Sequence, residues 1–246
     1  MVTKVEGIVL NEKAYSETSK IINVITKEYG VIGILAKGAL SLKSPLRSVT
    51  GKLTYGYFYI YYKENKLSTL KSVDVIDNLK SIKTDISKIS FASFLLDLAN
   101  QVIKQNNNSD VYTLLKQAIL KINEGYDPLV ITNIVELKYL NYLGVMPIID
   151  SCSKCGNKDN IITISSYRGG YICKNCHTNE KIVNLKTIKL IRMYYYVDLE
   201  AITTLNVSAE VKMEINSFLD DYYERYTGLY LKSKDFLKNL MKLEKN

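Results

Sequence analysis

Two CxxC pairs, Cys152-Ser-Lys-Cys155 and Cys173-Lys-Asn-Cys176, stand 17 residues apart and constrain this chain more than any other feature. Paired cysteines at that separation have the spacing of a four-thiolate zinc site, in which each CxxC forms a tight knuckle aiming two sulfurs at one ion. Between the pairs, Ile161–Ser165 and Tyr167–Cys173 predict a hairpin turning at or near Arg168-Gly169-Gly170, which returns the second pair beside the first. Four thiolates close the coordination shell, so the zinc, one per chain, is structural rather than catalytic. Residues 151–183 therefore read as a compact metal-binding insert. Lys154, Lys158, Arg168, Lys174 and Lys181 surround it, either offsetting thiolate charge or simply solvated.

Other uses of these cysteines fit less well. Cys173 to His177 matches the CxxCH pattern of c-type haem attachment. That chemistry requires export, the first ten residues carry no apolar core of a signal peptide, and Cys152 and Cys155 are left unexplained. A redox pair lacks a surrounding βαβ pattern. His177, the chain's single histidine, reads as a surface residue after the knuckle or as an alternative zinc ligand. With one histidine, no two-histidine metal hydrolysis is available. No nucleotide-binding loop, dinucleotide fingerprint, paired catalytic carboxylates or nucleophile elbow appears either. The expectation is a protein that is not an enzyme. No run of 18 apolar residues predicts a membrane span. The expected location is cytoplasmic, where thiols stay reduced and serve as ligands rather than disulfides.

The first 80 residues read as strands. Val5–Leu10, Ile21–Ile25, Val31–Ala36, Tyr55–Tyr62 and Leu67–Ile76 are short apolar, β-branched or aromatic runs separated by polar or glycine-containing turns. Five strands in this length fit a small OB-fold barrel, with an SH3-like barrel as the competitor. Helical periodicity follows: Ile86, Ile89, Leu96, Ala99 and Ile103, then Val111, Leu115, Ala118 and Ile122, recur at three- and four-residue steps. Asp127-Pro128 reads as an N-cap with proline at the first helical position, and Gly144 ends that helix. Ser208 caps a later helix, and a last short one follows Ser233. The expected fold class is α+β. It comprises an OB-fold nucleic-acid-binding domain at 1–80, an all-helical domain at 81–150 and 184–246, and the zinc-ribbon-like insert at 151–183.

Charge suggests a partner. The formal net charge is +8, and residues 37–52 hold Lys37, Lys43, Arg47 and Lys52 with no acid; Lys20 and Lys27 lie upstream. A basic loop beside barrel strands suits phosphate contacts, although a merely solvated loop has the same composition. In a strand over the run Tyr55–Tyr62, Tyr55, Tyr57, Tyr59 and Tyr61 share one face while Phe58 and Ile60 take the other. Tyr57 and Tyr59 on an exposed face would stack bases; tyrosines that only pack under helices give the same pattern.

Several stretches resemble the bacterial recombination mediator family RecO. They are Glu6-Gly-Ile-Val-Leu10, Tyr15-Ser-Glu-Thr18, Thr26-Lys-Glu-Tyr-Gly30, Ala36-Lys-Gly-Ala39, Asn123-Glu-Gly-Tyr-Asp127 and Tyr222-Tyr-Glu-Arg-Tyr226-Thr-Gly-Leu-Tyr230-Leu-Lys-Ser-Lys234. The cysteine pairs match those members that carry a zinc insert. The resemblance implies a non-catalytic DNA-repair protein, nucleoid-associated during repair, that binds single- and double-stranded DNA and anneals complementary strands. With RecR it would help load RecA onto DNA coated by single-strand-binding protein, whose acidic C-terminal tail it would contact. Such a tail calls for an apolar groove rimmed by cations. The candidates are Tyr222, Arg225, Tyr226, Lys232, Lys234 and Phe236. The rival expectation is a zinc-ribbon transcription or RNA-binding factor with a similar basic barrel.

Overall fold

Alternating apolar residues close five strands into a barrel in the computed structural model, which describes residues 1–243. The strands are β1 (Thr3–Ala14), β2 (Lys20–Thr26), β3 (Gly30–Ala36), β4 (Tyr55–Tyr61) and β5 (Ser68–Asp77). Their order is β1-β2-β3-β5-β4, with β4 closing on β1. All neighbours are antiparallel except β3 and β5, where Ile34 lies opposite Ser68. This is an OB-like barrel. Its interior holds Val5, Val9, Ile22, Val24, Ile34, Phe58, Ile60 and Leu70. β1 runs four residues beyond the expected Leu10, because a bulge between Val9 and Asn11 re-registers it against β2 and pairing continues to Ala14.

Among the described residues seven helices follow: α1 (Lys80–Lys83), α2 (Ile86–Gln105), α3 (Ser109–Glu124), α4 (Pro128–Tyr142), α5 (Leu185–Tyr196), α6 (Ala209–Tyr226) and α7 (Lys232–Leu243). The starts of α2, α4, α5 and α6 are capped by side chains that accept otherwise unsatisfied backbone N–H groups. The Asp127 carboxylate accepts from Leu129 N at 2.9 Å and Val130 N at 3.2 Å, with Pro128 next in sequence. Ser208 accepts from Val211 N at 3.5 Å. A two-stranded hairpin, β6 (Ile161–Ser165) and β7 (Gly170–Cys173), separates α4 from α5. No helix among the described residues is long and apolar enough to cross a membrane.

Packing divides the chain into two units. One is Met1–Glu124 together with α7 from Ser233 onward; the other is Gly125–Lys232. Residue 80 marks where strands give way to helices, but α1–α3 and α7 pack with the barrel rather than with α4–α6. For α3, the tie to the barrel is visible at Glu6 on β1. Its Oε1 accepts from Tyr55 OH of β4 at 2.9 Å and from Tyr112 OH of α3 at 3.0 Å, and Lys116 Nζ stands at 3.4 Å. Burial pushes the Glu6 carboxyl upward, but these hydroxyl bonds and the Lys116 charge outweigh it and hold the pKa below the ordinary glutamate value.

Candidate functional site

The hairpin brings the four cysteines together. Cys152, Cys155, Cys173 and Cys176 have all four Sγ atoms within 4.8 Å of one another. Each CxxC is a knuckle closed by backbone bonds: Gly156 N donates to Cys152 O at 2.8 Å, and Cys176 N and His177 N donate to Cys173 O at 3.1 and 3.0 Å. A tetrahedral zinc with bonds of about 2.3 Å sets its sulfurs about 3.8 Å apart. The Cys155 and Cys173 sulfurs are 3.7 Å apart. Burial raises the Cys152 thiol, yet backbone N–H groups of Cys173, Lys154 and Cys155 outweigh it and bring the pKa down to about 6, which favours the thiolate. The donor set thus fits a closed four-thiolate metal site. His177 is outside it; its Nε2 lies 2.8 Å from the Glu180 carbonyl oxygen.

Gly170 is what seats the hairpin. It bridges to Ile148 on the chain entering the insert, with Ile148 N donating to Gly169 O and Tyr171 N to Ile148 O. A Cβ at Gly170 would sit 2.2 Å from Ile148 O, so no larger residue fits this approach.

The outer face of β2 and β3 is the barrel's second feature. Strand register places Lys13, Ile21 and Leu35 in one row and Asn11, Asn23 and Gly33 in the next. Asn23 Nδ2 donates to Asn11 Oδ1 at 2.7 Å. Where this face meets the β4–β5 connection, a groove of about 350 Å³ is lined by Tyr29, Val31, Gly33, Tyr62, Lys63 and Lys66, among others. The Tyr29 and Tyr62 rings are 4.5 Å apart at an interplanar angle of 32°. Tyr62 also packs on the barrel core, which fixes it, while Lys63, Asn65 and Lys66 are exposed. Gly33 keeps the floor open, since a Cβ there would press on Leu67 Cδ2 at 2.9 Å. Strands 2 and 3 with the β1–β2 and β4–β5 loops are the usual ligand-binding side of an OB barrel.

The nucleic-acid residues expected from sequence scatter around this barrel. Lys37, Lys43 and Arg47 are exposed, and Lys52 half-buried, on the β3–β4 connection. Gly38 N of that connection donates to Ser19 Oγ at 3.3 Å, and Leu40 N to Thr18 O at 2.8 Å, which ties it to the β1–β2 turn. Lys27 is exposed in the β2–β3 turn, at the other end of these strands. Lys20 is buried and ion-paired to Glu12, so its ammonium is not presented to solvent. Tyr57 and Tyr59 do share an outer face opposite Phe58 and Ile60, but Lys4 Nζ lies 3.7 Å from the Tyr57 ring centre. Tyr59 is hydrogen-bonded to Asp74, which raises its hydroxyl pKa. Tyr55 is buried against Glu6. Tyr15, Tyr29, Tyr62, Lys63 and Lys66 carry the more open combination of rings and cations, and sequence reasoning passed over them. Their signal lay in the turns flanking the strands rather than in the strands.

The six residues expected to receive an acidic tail divide between the two units. Tyr222, Arg225, Tyr226 and Lys232 belong to the second, Lys234 and Phe236 to the first. Tyr222 is core, its ring 5.3 Å from Phe218 and 4.4 Å from Tyr226. Tyr226 OH donates to Ser166 O at 3.0 Å, Arg225 is exposed, and Arg225 Cζ lies 5.7 Å from the Tyr167 ring centre. Lys234 Nζ sits 4.5 Å above the Phe94 ring, and Phe236 is exposed; in the second unit Lys232 is exposed.

Comparison with known proteins covers nearly the whole chain. The family described as recombination protein O N terminal matches residues 1–79, and that described as recombination protein O C terminal matches residues 83–235. The DNA repair protein RecO of Listeria monocytogenes serotype 4b (strain F2365) is 36% identical over 245 residues, 98% of this chain and 96% of that protein. The DNA repair protein RecO of Bacillus pumilus (strain SAFR-032) is 34% identical over 249 residues, 100% of this chain and 97% of that protein. The DNA repair protein RecO of Halalkalibacterium halodurans is 34% identical over 244 residues, with 98% and 96% covered.

Proposed function

The chain belongs to the RecO family of DNA repair and recombination proteins, and we propose that it is a non-catalytic mediator that binds single- and double-stranded DNA and anneals complementary strands. With RecR it helps load RecA onto DNA coated by single-strand-binding protein, and it contacts that protein's acidic tail. The observation that carries the DNA-binding part is the outer face of β2 and β3. A strand face with paired asparagines and exposed Lys13 leads into a groove with two adjacent, mutually tilted tyrosines and two exposed lysines. Rings accept any base and lysines any phosphate, so such a surface binds a strand without reading its sequence. Lysines dominate, at 29 against four arginines, and point charges suit phosphates that must later be released. Annealing makes and breaks no covalent bond, so binding surfaces suffice.

Zinc at Cys152, Cys155, Cys173 and Cys176 supplies cross-linking rather than reactivity, holding both knuckles of the hairpin on one ion. In the first unit, Phe236 with Lys234 is suited to an acidic peptide with an apolar end; in the second, Arg225, Tyr226 and Lys232 are the remaining candidates.

The deciding experiment is annealing of complementary strands precoated with single-strand-binding protein, with and without RecR. The mediator reading expects acceleration by this protein on coated strands, and RecR-dependent RecA loading on the same DNA. Strong preference for structured RNA, with no annealing, would return the transcription or RNA-binding alternative.

A further inference from the structure

Three successive turns build the segment between β3 and β4. Ser41 N donates to Gly38 O at 3.1 Å, Ser44 N to Ser41 O at 3.1 Å, and Arg47 N to Ser44 O at 3.2 Å. The segment is pinned from below, since Ala39 lies in the barrel core and Leu46 packs against it. It is pinned from the side by the Gly38 and Leu40 bonds to the β1–β2 turn. The middle turn, Ser41 to Ser44, has Leu42 and Lys43 at its two corners. Leu42 is 85% exposed.

Turn corners favour proline, asparagine, aspartate, glycine and serine for conformational reasons, and leucine has none of these. The frame sends Leu46 to the core and holds Leu42 out in water. Exposed Lys37, Lys43 and Arg47 lie on the same segment, and no acid occurs between residues 37 and 52. We propose that Leu42 is an apolar wedge that enters between neighbouring bases of a DNA duplex while Lys43 and Arg47 hold the flanking phosphates. The proposal rests on the DNA-binding reading above and adds to it a means of opening base steps. Proteins that bend or open duplexes insert leucine and similar side chains in this way, and the unstacking is offset by contacts that the opened duplex permits. The surrounding charge complements phosphate. A lipid surface is a poorer match, because even a whole acyl chain gives only marginal anchoring and one leucine corner buries less.

The test uses the full-length protein and duplexes carrying 2-aminopurine at a series of interior positions, whose fluorescence rises when the base unstacks. Wild type should bind with a rise in fluorescence. Leu42→Ala, a substitution at an exposed corner, should bind with an unchanged salt slope but lose most of that rise. Lys43→Ala/Arg47→Ala should instead lower the salt slope, by up to about 1.8 for two duplex phosphate contacts. Duplex binding by wild type without any rise, or a rise undiminished in Leu42→Ala, would overturn the wedge and leave the DNA-binding reading standing. Absence of duplex binding would overturn the wedge together with the double-stranded part of the DNA-binding reading. Binding of wild type but not Leu42→Ala to phosphatidylserine-containing vesicles, with no change on DNA, would reassign the corner to lipid.

Discussion

Replacing Lys63 and Lys66 with alanine is the sharpest probe of the barrel groove. Both side chains are exposed on the β4–β5 connection, and the turn they flank is held by a backbone bond, Lys66 N to Lys63 O at 3.4 Å, that alanine retains. Stability should therefore change by less than about 0.5 kcal/mol. If each ammonium neutralises one phosphate of a single strand, each contributes about 0.7 to the slope of log affinity against log salt, or about 1.4 for the pair. Raising salt fourfold, from about 50 to 200 mM, should then cost wild type about sevenfold more affinity than the double variant loses. The assay is fluorescence anisotropy of a labelled homopolymeric oligonucleotide across a salt series. Lys20→Ala is the internal control: its ammonium is committed to Glu12, so the substitution should lower stability and leave the slope alone. Tyr29→Ala should weaken binding by about 1–3 kcal/mol at every salt concentration, because stacking releases no counterions. A slope unchanged in Lys63→Ala/Lys66→Ala would show that the strand does not cross this groove.

The purified, reduced protein is expected to hold about one zinc per chain by elemental analysis. Cys173→Ser should lose it and loosen the β6–β7 hairpin while the barrel stays folded by hydrogen exchange; metal-free wild type would refute the assignment. Gly170→Ala should destabilise the second unit by about 1–3 kcal/mol or more in urea unfolding, because its Cβ meets Ile148 O at 2.2 Å. A neutral result would mean the bridge can shift at no cost. Glu6, with its folded pKa held below the ordinary value, contributes stability that is present above about pH 4.3 and is lost as pH falls through the folded pKa. Glu6→Gln should accordingly flatten the acid limb of the stability curve, and superimposable acid limbs for variant and wild type would contradict this.

Local patterns carried a long way in this chain. Short apolar, β-branched and aromatic runs between turns placed all five barrel strands, and Phe58 and Ile60 face inward as their parity requires. CxxC spacing located the four-sulfur cluster, because a knuckle is built within four residues and the intervening hairpin is itself a local element. Asp127-Pro128 and Ser208 marked helix starts for the same reason: a cap bonds only two or three residues ahead.

Availability of a side chain was another matter. Lys20 and Lys63 look alike in sequence, yet one is buried on Glu12 and the other is open, a difference set by β1–β2 register. Tyr55 and Tyr29 likewise look equally able to stack. Tyr55 is taken by Glu6, which also holds Tyr112 from 106 residues away, whereas Tyr29 lines a groove with Tyr62. Sequence by itself determined the barrel strands, the caps and the four-cysteine cluster, since each depends on neighbours a few residues apart. Only the tertiary structure decided which rings and cations remain free for a ligand, because burial and ion pairing are settled between residues that the chain brings together from far apart.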